Sequence, residues 1–180
     1  DDLCAEAIRL GRVLADLIRD EPEVLGLLAL MLLIESRRAA RIGMEGQLVP
    51  LADQDRTLWK HALIAEGQGI VRHCLRRNRP GSYQIQAAIN AVHSDARTAA
   101  ETDWKQVLAL YDQLYTMTPT AIVALNRSVA VAEVEGPEAA LAIVDALDLD
   151  SYHLLHSTRA EFLTRLERYF GSPYPYDKLD

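Results

Sequence analysis

A helix-turn-helix unit that begins to repeat at a spacing in the low thirties constrains this chain more than any other feature. Ser128, in ALNRSVAVAEVEG, and Ala160, in HSTRAEFLTRL, lie 32 positions apart, each inside an amphipathic helical pattern. A small side chain at such a place lets a second helix come close. Ala88, in YQIQAAINAVH, is a weaker counterpart 40 positions before Ser128, the extra length being taken up by the polar stretch from Ser94 to Thr102. After the first of these helices Gly136-Pro137 makes a turn, and EAALAIVDAL supplies a second helix. Helix pairs recurring at about 34 residues stack into a solenoid in which each pair touches its neighbours.

The rest of the chain has the same helical period. Leu3, Ala7, Leu10, Leu14, Leu17 and Ile18 share one stripe, which predicts an amphipathic helix from Asp2 to Arg19. Pro22 opens a second helix, apolar nearly all round from Val24 to Ile34 and therefore the most buried. Two glycines and Pro50 break the pattern between Ile42 and Ala52, with Asp53 as cap for a third helix from Gln54 to Arg77. Gly67 and Gly69 inside that helix imply close packing or a kink. Further helices are expected over Ser82–Ser94, Asp103–Thr116, Pro119–Val134, Pro137–Ala146 and from an Asp150 or Ser151 cap to Tyr169. Strand-like alternation is absent. The predicted fold is all-α with about eight helices and tetratricopeptide-like pairs in the C-terminal half: one domain over 1–170 and an extended tail, GSPYPYDKLD, over 171–180.

With 49% hydrophobic residues in 180, the chain can bury a sizeable core. A net charge of -7 argues against a surface given over to nucleic acid, which needs clustered positive charge. Two cysteines far apart, Cys4 and Cys74, read as reduced, buried thiols of a cytoplasmic protein. No apolar run approaches the roughly 18 residues of a membrane span. The acidic, amphipathic start is no signal peptide, and its opening inside a helix pattern is that of a piece of a longer protein.

Candidate chemistry is sparse. His153 and His156 stand three apart with Glu161 as a remote carboxylate, without the i, i+4 spacing and intervening acid of a metalloprotease helix, so packing explains them and no metal is expected. Glu66, within helical reach of His61 or Arg72, reads as a structural pair rather than an acid or base; Ser157, Thr158 and Cys74 lack a nucleophile's setting. No glycine pattern cradles a phosphate, so neither a catalytic residue nor a cofactor is expected. Arg37, Arg38 and Arg41, and Arg72, Arg76, Arg77 and Arg79, gather at helix C-termini, where the helix dipole favours cations without any ligand. Tyr83, Trp104, Tyr111 and Tyr115 fill helix contacts. On the sixth helix Val123, Leu125, Val129 and Ala132 face neighbours, leaving Asn126 and Arg127 as the candidate partner-binding surface. If the chain instead holds a small molecule between helices, as sensor or enzyme, His61, Glu66 and His153 are its polar residues; a stand-alone peptide-binding scaffold is the third reading.

EPEVLGLLALMLL (Glu21 to Leu33), LVPLADQDRTLW (Leu48 to Trp59), ALIAEG (Ala62 to Gly67), YQIQAAINAVH (Tyr83 to His93), ALNRSVAVAEVEGP (Ala124 to Pro137) and YHLLHSTRAEFLTRL (Tyr152 to Leu166) follow one another in an order that resembles the C-terminal extension of a group of bacterial extracytoplasmic-function RNA polymerase sigma factors. The resemblance implies a tetratricopeptide-like regulatory domain that modulates transcription initiation, with its own sigma domains or RNA polymerase as partners. DNA contact in that family belongs to a sigma-two and a sigma-four domain, neither of which is in this sequence. The chain departs from the family at IESRR (Ile34 to Arg38), where relatives tend to carry a His-Asp segment, and at the tail from Gly171.

Overall fold

Asp2 starts helix α1 (Leu3–Leu17) by accepting the Cys4 amide on its carboxylate at 3.1 Å. Pro22, with no amide to leave unpaired, takes the first position of α2 (Pro22–Ser36), and the Glu21 carboxylate receives the Glu23 amide. A computed structural model describes residues 2–43 and 46–170; the tail expected over 171–180 lies outside the described residues. The remaining helices are α3 (His61–Arg77), α4 (Ser82–Asp95), α5 (Trp104–Met117), α6 (Ala121–Val134), α7 (Pro137–Asp145) and α8 (His153–Phe170). Among the described residues the only extended pairing is an isolated bridge between Ile42 and Leu48. The all-α fold stands, with eight α-helices among the described residues, none of them long and apolar enough to cross a membrane.

Where the sequence predicts one domain over 1–170, the chain divides between Met117 and Thr118 into two compact units. In the first, α2 packs on α1, α3 and α4, and α4 packs in turn on α5. Leu28, Ala29, Leu32 and Leu33 are buried on three sides of α2, as its lack of a polar face requires. Two glycines permit the approach. A Cβ on Gly26 would come 2.7 Å from the backbone nitrogen of Gln84 on α4, and one on Gly67 of α3 would come 2.8 Å from Leu33 Cγ. Gly69 faces open space, so of the two glycines expected to mark close packing only Gly67 does.

Two expectations change here. The α1 stripe is not a core face: Leu3, Ala7, Leu10, Leu14, Leu17 and Ile18 are exposed, while Ile8 and Ala15 are buried. Helix α3 begins at His61, not Gln54, because the Asp55 carboxylate takes both the amide and the hydroxyl of Thr57 and closes a 3₁₀ turn over Arg56–Leu58. Asp53 ends an earlier 3₁₀ turn instead of capping α3. Trp59 then turns inward, 5% exposed, and the Lys60 amide donates to Ser36 O at 2.9 Å. Asn78, in the left-handed region at φ 49°, ends α3.

In the second unit Thr120 caps α6 through the Val123 amide, Gly136 turns the chain at φ 103°, and Pro137 opens α7, which packs on both α6 and α8. This is the helix-pair arrangement expected of the C-terminal half. Ser128 is fully buried and its hydroxyl donates to Leu125 O at 2.7 Å. Ala160 is exposed, however, and α8 is anchored by Leu155 and Phe162, so Ala160 does not repeat the role of Ser128.

The glycine geometry makes a paired prediction. Gly67→Ala drives a methyl group into the fixed Leu33 side chain and lowers stability by about 1 to 3 kcal/mol, whereas Gly69→Ala, with free space, raises it by about 0.5 to 1 kcal/mol. Urea denaturation of both variants checks the sign of each.

Candidate functional site

Of the residues expected to line a polar pocket, His61 and Glu66 do not share a face of α3. His61 is exposed at the start of α3, and Glu66, five residues on, points about 140° away around the helix. His153 belongs to the second unit and is exposed, its ring 5.6 Å from that of Tyr152. The partner of Glu66 is neither His61 nor Arg72 but Arg12 of α1, whose Nε and Nη2 donate to the two carboxylate oxygens at 2.9 and 2.7 Å. These hydrogen bonds hold the Glu66 carboxyl below its ordinary range. Both side chains keep more than a third of their surface in water, 45% and 37%, so the pair clips α1 to α3 without much energy. Glu66→Gln should therefore cost less than about 1 kcal/mol in thermal or urea unfolding.

His156 Nε2 lies 2.8 Å from Asp150 O, a contact at the start of α8, and among the described residues no group of three or more His, Cys, Asp or Glu is placed to hold a metal. Cys74 is buried with its thiol pushed up by desolvation, but Cys4 is exposed, against the expectation that both are buried. On α6 Asn126 is exposed and Arg127 half-buried, while Leu125, Ser128 and Ala132 are buried.

The residues that do converge lie elsewhere. The basic run at the end of α2 splits: Arg38 turns outward to Asp2, at 2.7 Å, and Arg37 turns inward. Arg37 Nη2 donates to Asn90 Oδ1 on α4, and its guanidinium carbon lies 5.9 Å from the centre of the Trp59 indole. Arg56 stacks on the same indole at 4.5 Å, because positions three apart in a 3₁₀ turn and its end lie nearly in line. Arg56 Nη1 donates to His93 O at 2.9 Å and Ala96 O at 2.7 Å, tying off the last carbonyls of α4. Desolvation first, then the charges of Arg41 and Arg56, brings the Arg37 guanidinium down to about 10; the Tyr111 phenol acts the other way. His93 is pushed down to about 4, by burial and then by Arg37 and Arg56, and its ring meets Trp104 edge-on at 5.2 Å. No carboxylate among the described residues pairs with either arginine; Glu101 acts on Arg56 only from a distance.

The cluster also leaves donors unmet. Arg37 Nε, Arg56 Nη2 and Trp59 Nε1 are buried and meet no acceptor, which costs about 1 to 3 kcal/mol for each such group. A fourth unmatched atom, Gln54 Oε1, is an acceptor. Sequence reasoning assigned Arg37 to the helix dipole and passed over Arg56. The available signal was an arginine three residues before a tryptophan, in DRTLW. In the same stretch Glu35 is 9% exposed and receives Lys60 Nζ at 2.8 Å, with Arg38 at 3.8 Å.

Because His93 is neutral in the fold and protonates normally once unfolded, acid favours the unfolded chain. Its contribution is fully present above about pH 6.5 and is lost as pH falls toward about 4, amounting to about 3 kcal/mol at most. Stability measured against pH in this window should be flatter for His93→Gln than for the natural chain.

Residues 1–75 match a family of unknown function (DUF6596). The chain is 45% identical over 179 residues to an uncharacterized protein of Rhizobium meliloti (strain 1021). That alignment takes in 98% of this chain but spans only 42% of the relative's length. No solved structure matches.

Proposed function

We propose that this chain is a regulatory, protein-binding part of an extracytoplasmic-function sigma factor, acting on transcription initiation through contacts with the sigma domains of its own parent chain or with RNA polymerase. The observation that carries the contact reading is the outer face of α1. Leu3, Ala7, Leu10, Leu14 and Leu17 advance in alternating steps of four and three and all are exposed, although Ile8 and Ala15 already supply the contact with the core. Steps of that kind form the seam on which a second helix packs. More than half of the Rhizobium relative's length lies outside the part this chain matches, which leaves room there for such a helix.

The sigma-factor assignment itself is supported by the six ordered motifs between Glu21 and Leu166, which fall on α2, the connection to α3, and α3, α4, α6 and α8. DNA enters this reading only through the parent's sigma domains, and the setting is the bacterial cytoplasm. The exposed Asn126 on α6 is a second candidate contact, on the other unit.

Leu10→Ser combined with Leu17→Ser should change the stability of the isolated chain by less than about 1 kcal/mol, since neither side chain is in the core. In a reconstituted parent sigma factor with polymerase, the same pair should alter promoter-dependent transcription several-fold. Unchanged transcription from the folded variant would remove the α1 seam as the contact, and the combination Asn126→Ala with Arg127→Ala tests the α6 face in the same assay. Normal transcription from both would sink the regulatory reading.

A further inference from the structure

We propose that Arg37, Arg56 and Trp59 form a binding site for one small oxyanion, a phosphate or carboxylate group, held between two guanidinium groups and an indole N–H. Three features converge on that chemistry. The first is charge: two arginines from different elements are drawn onto the faces of one tryptophan with no carboxylate paired to either among the described residues, in a chain whose net charge is -7. Acidic side chains abound on this protein, yet the described ion pairs involve other cations, among them Arg9, Arg12, Arg38 and Lys60. The second is valence. Each guanidinium already has one part fixed by the fold, Arg37 Nη2 on Asn90 and Arg56 Nη1 on the carbonyls of His93 and Ala96, so the heads are held while Arg37 Nε, Arg56 Nη2 and Trp59 Nε1 remain buried donors without acceptors.

The third is that the titratable groups described beside the arginines do not neutralise their charge. His93, next to both arginines, is kept neutral and its backbone carbonyl is already used by Arg56. Tyr111, packed nearby, has its phenol raised by burial and so carries no negative charge at neutral pH. An oxyanion would supply the missing acceptors and the missing charge together, since guanidinium groups bind phosphate and carboxylate through paired, charge-assisted hydrogen bonds. Arg37 and Arg56 are each partly exposed as residues, so the site lies near the protein surface. An ordered water, which donates as well as accepts, is the competing occupant.

The chain contains two tryptophans, so a ¹⁵N-labelled sample gives two indole N–H signals, assigned with Trp104→Phe. The natural 180-residue chain is titrated with inorganic phosphate and, separately, with citrate, ionic strength being held constant with sodium chloride. Saturable movement of the Trp59 indole signal with either anion, at a Kd of about 1 mM or tighter, supports the site. The anion that produces it tells phosphate from carboxylate ligands. Arg37→Lys keeps the charge but loses the Nε donor, and should weaken that binding about tenfold or more, the loss of one charge-assisted hydrogen bond. A Trp59 signal that does not move with either anion, or moves only linearly, overturns the proposal and leaves water in the site. So does unchanged affinity in a folded Arg37→Lys chain. If that variant does not fold, the titration of the natural chain decides alone. The readout uses this chain by itself, so its outcome is separate from that of the transcription assay.

Discussion

A helix with no polar face to give to water has to be surrounded, and the first unit is the consequence of surrounding α2. Its apolar residues point in every direction, so α1, α3 and α4 must all lie against it. What sets the distances is the absence of two side chains. Gly26 brings the backbone of α4 to the surface of α2, and Gly67 lets Leu33 sit against the backbone of α3. With both faces this close, α4 is held alongside α2, and the contact of Arg37, at the end of α2, with Asn90 of α4 follows from that placement.

Periodicity alone predicted the helices well, because a 3.6-residue repeat of apolar side chains records which residues can share a face. It could not record which face is covered. The α1 stripe and the α2 run look alike as signs of burial, but the first faces outward and the buried apolar side chains of α1 are Ile8 and Ala15. The same limit explains Ala160: a small residue at the right interval is necessary for close helix packing and does not bring the neighbour with it. The start of α3 was misplaced for a different reason, since the preference of Asp55 for Thr57 is local and outweighs helix continuation over a few residues.

The polar sites were less legible because their partners are far apart in sequence. Arg12 and Glu66 belong to different helices, and no reading of α3 alone finds the pair. Arg37, Arg56 and Asn90 come from three separate elements, and each by itself has an ordinary explanation as a helix-terminal cation, a loop charge or a surface amide. Only the arrival of both arginines at one indole, with Asn90 holding Arg37, distinguishes them. The proposed functional readings thus rest on different physical grounds: an apolar seam that suits another helix, and a set of buried donors that suits an anion.

The connection between α2 and α3 is pinned at its two ends to a single point, where the Lys60 amide meets Ser36 O and the Lys60 ammonium meets Glu35. Segment 37–59 is therefore a closed loop whose neck is independent of its contents. Chain inside such a neck can lengthen, shorten or change composition across relatives while the helices on either side keep their register, because loop closure depends only weakly on length. Its described contents are nonetheless tied down, because Ala40 and Trp59 are buried in the core and Arg56 bonds to the carbonyls of His93 and Ala96. Arg37, Arg56 and Trp59 belong to this loop, whereas Asn90 and His93 belong to α4, so the arginine cluster is the seam by which the loop's interior is sewn to that helix.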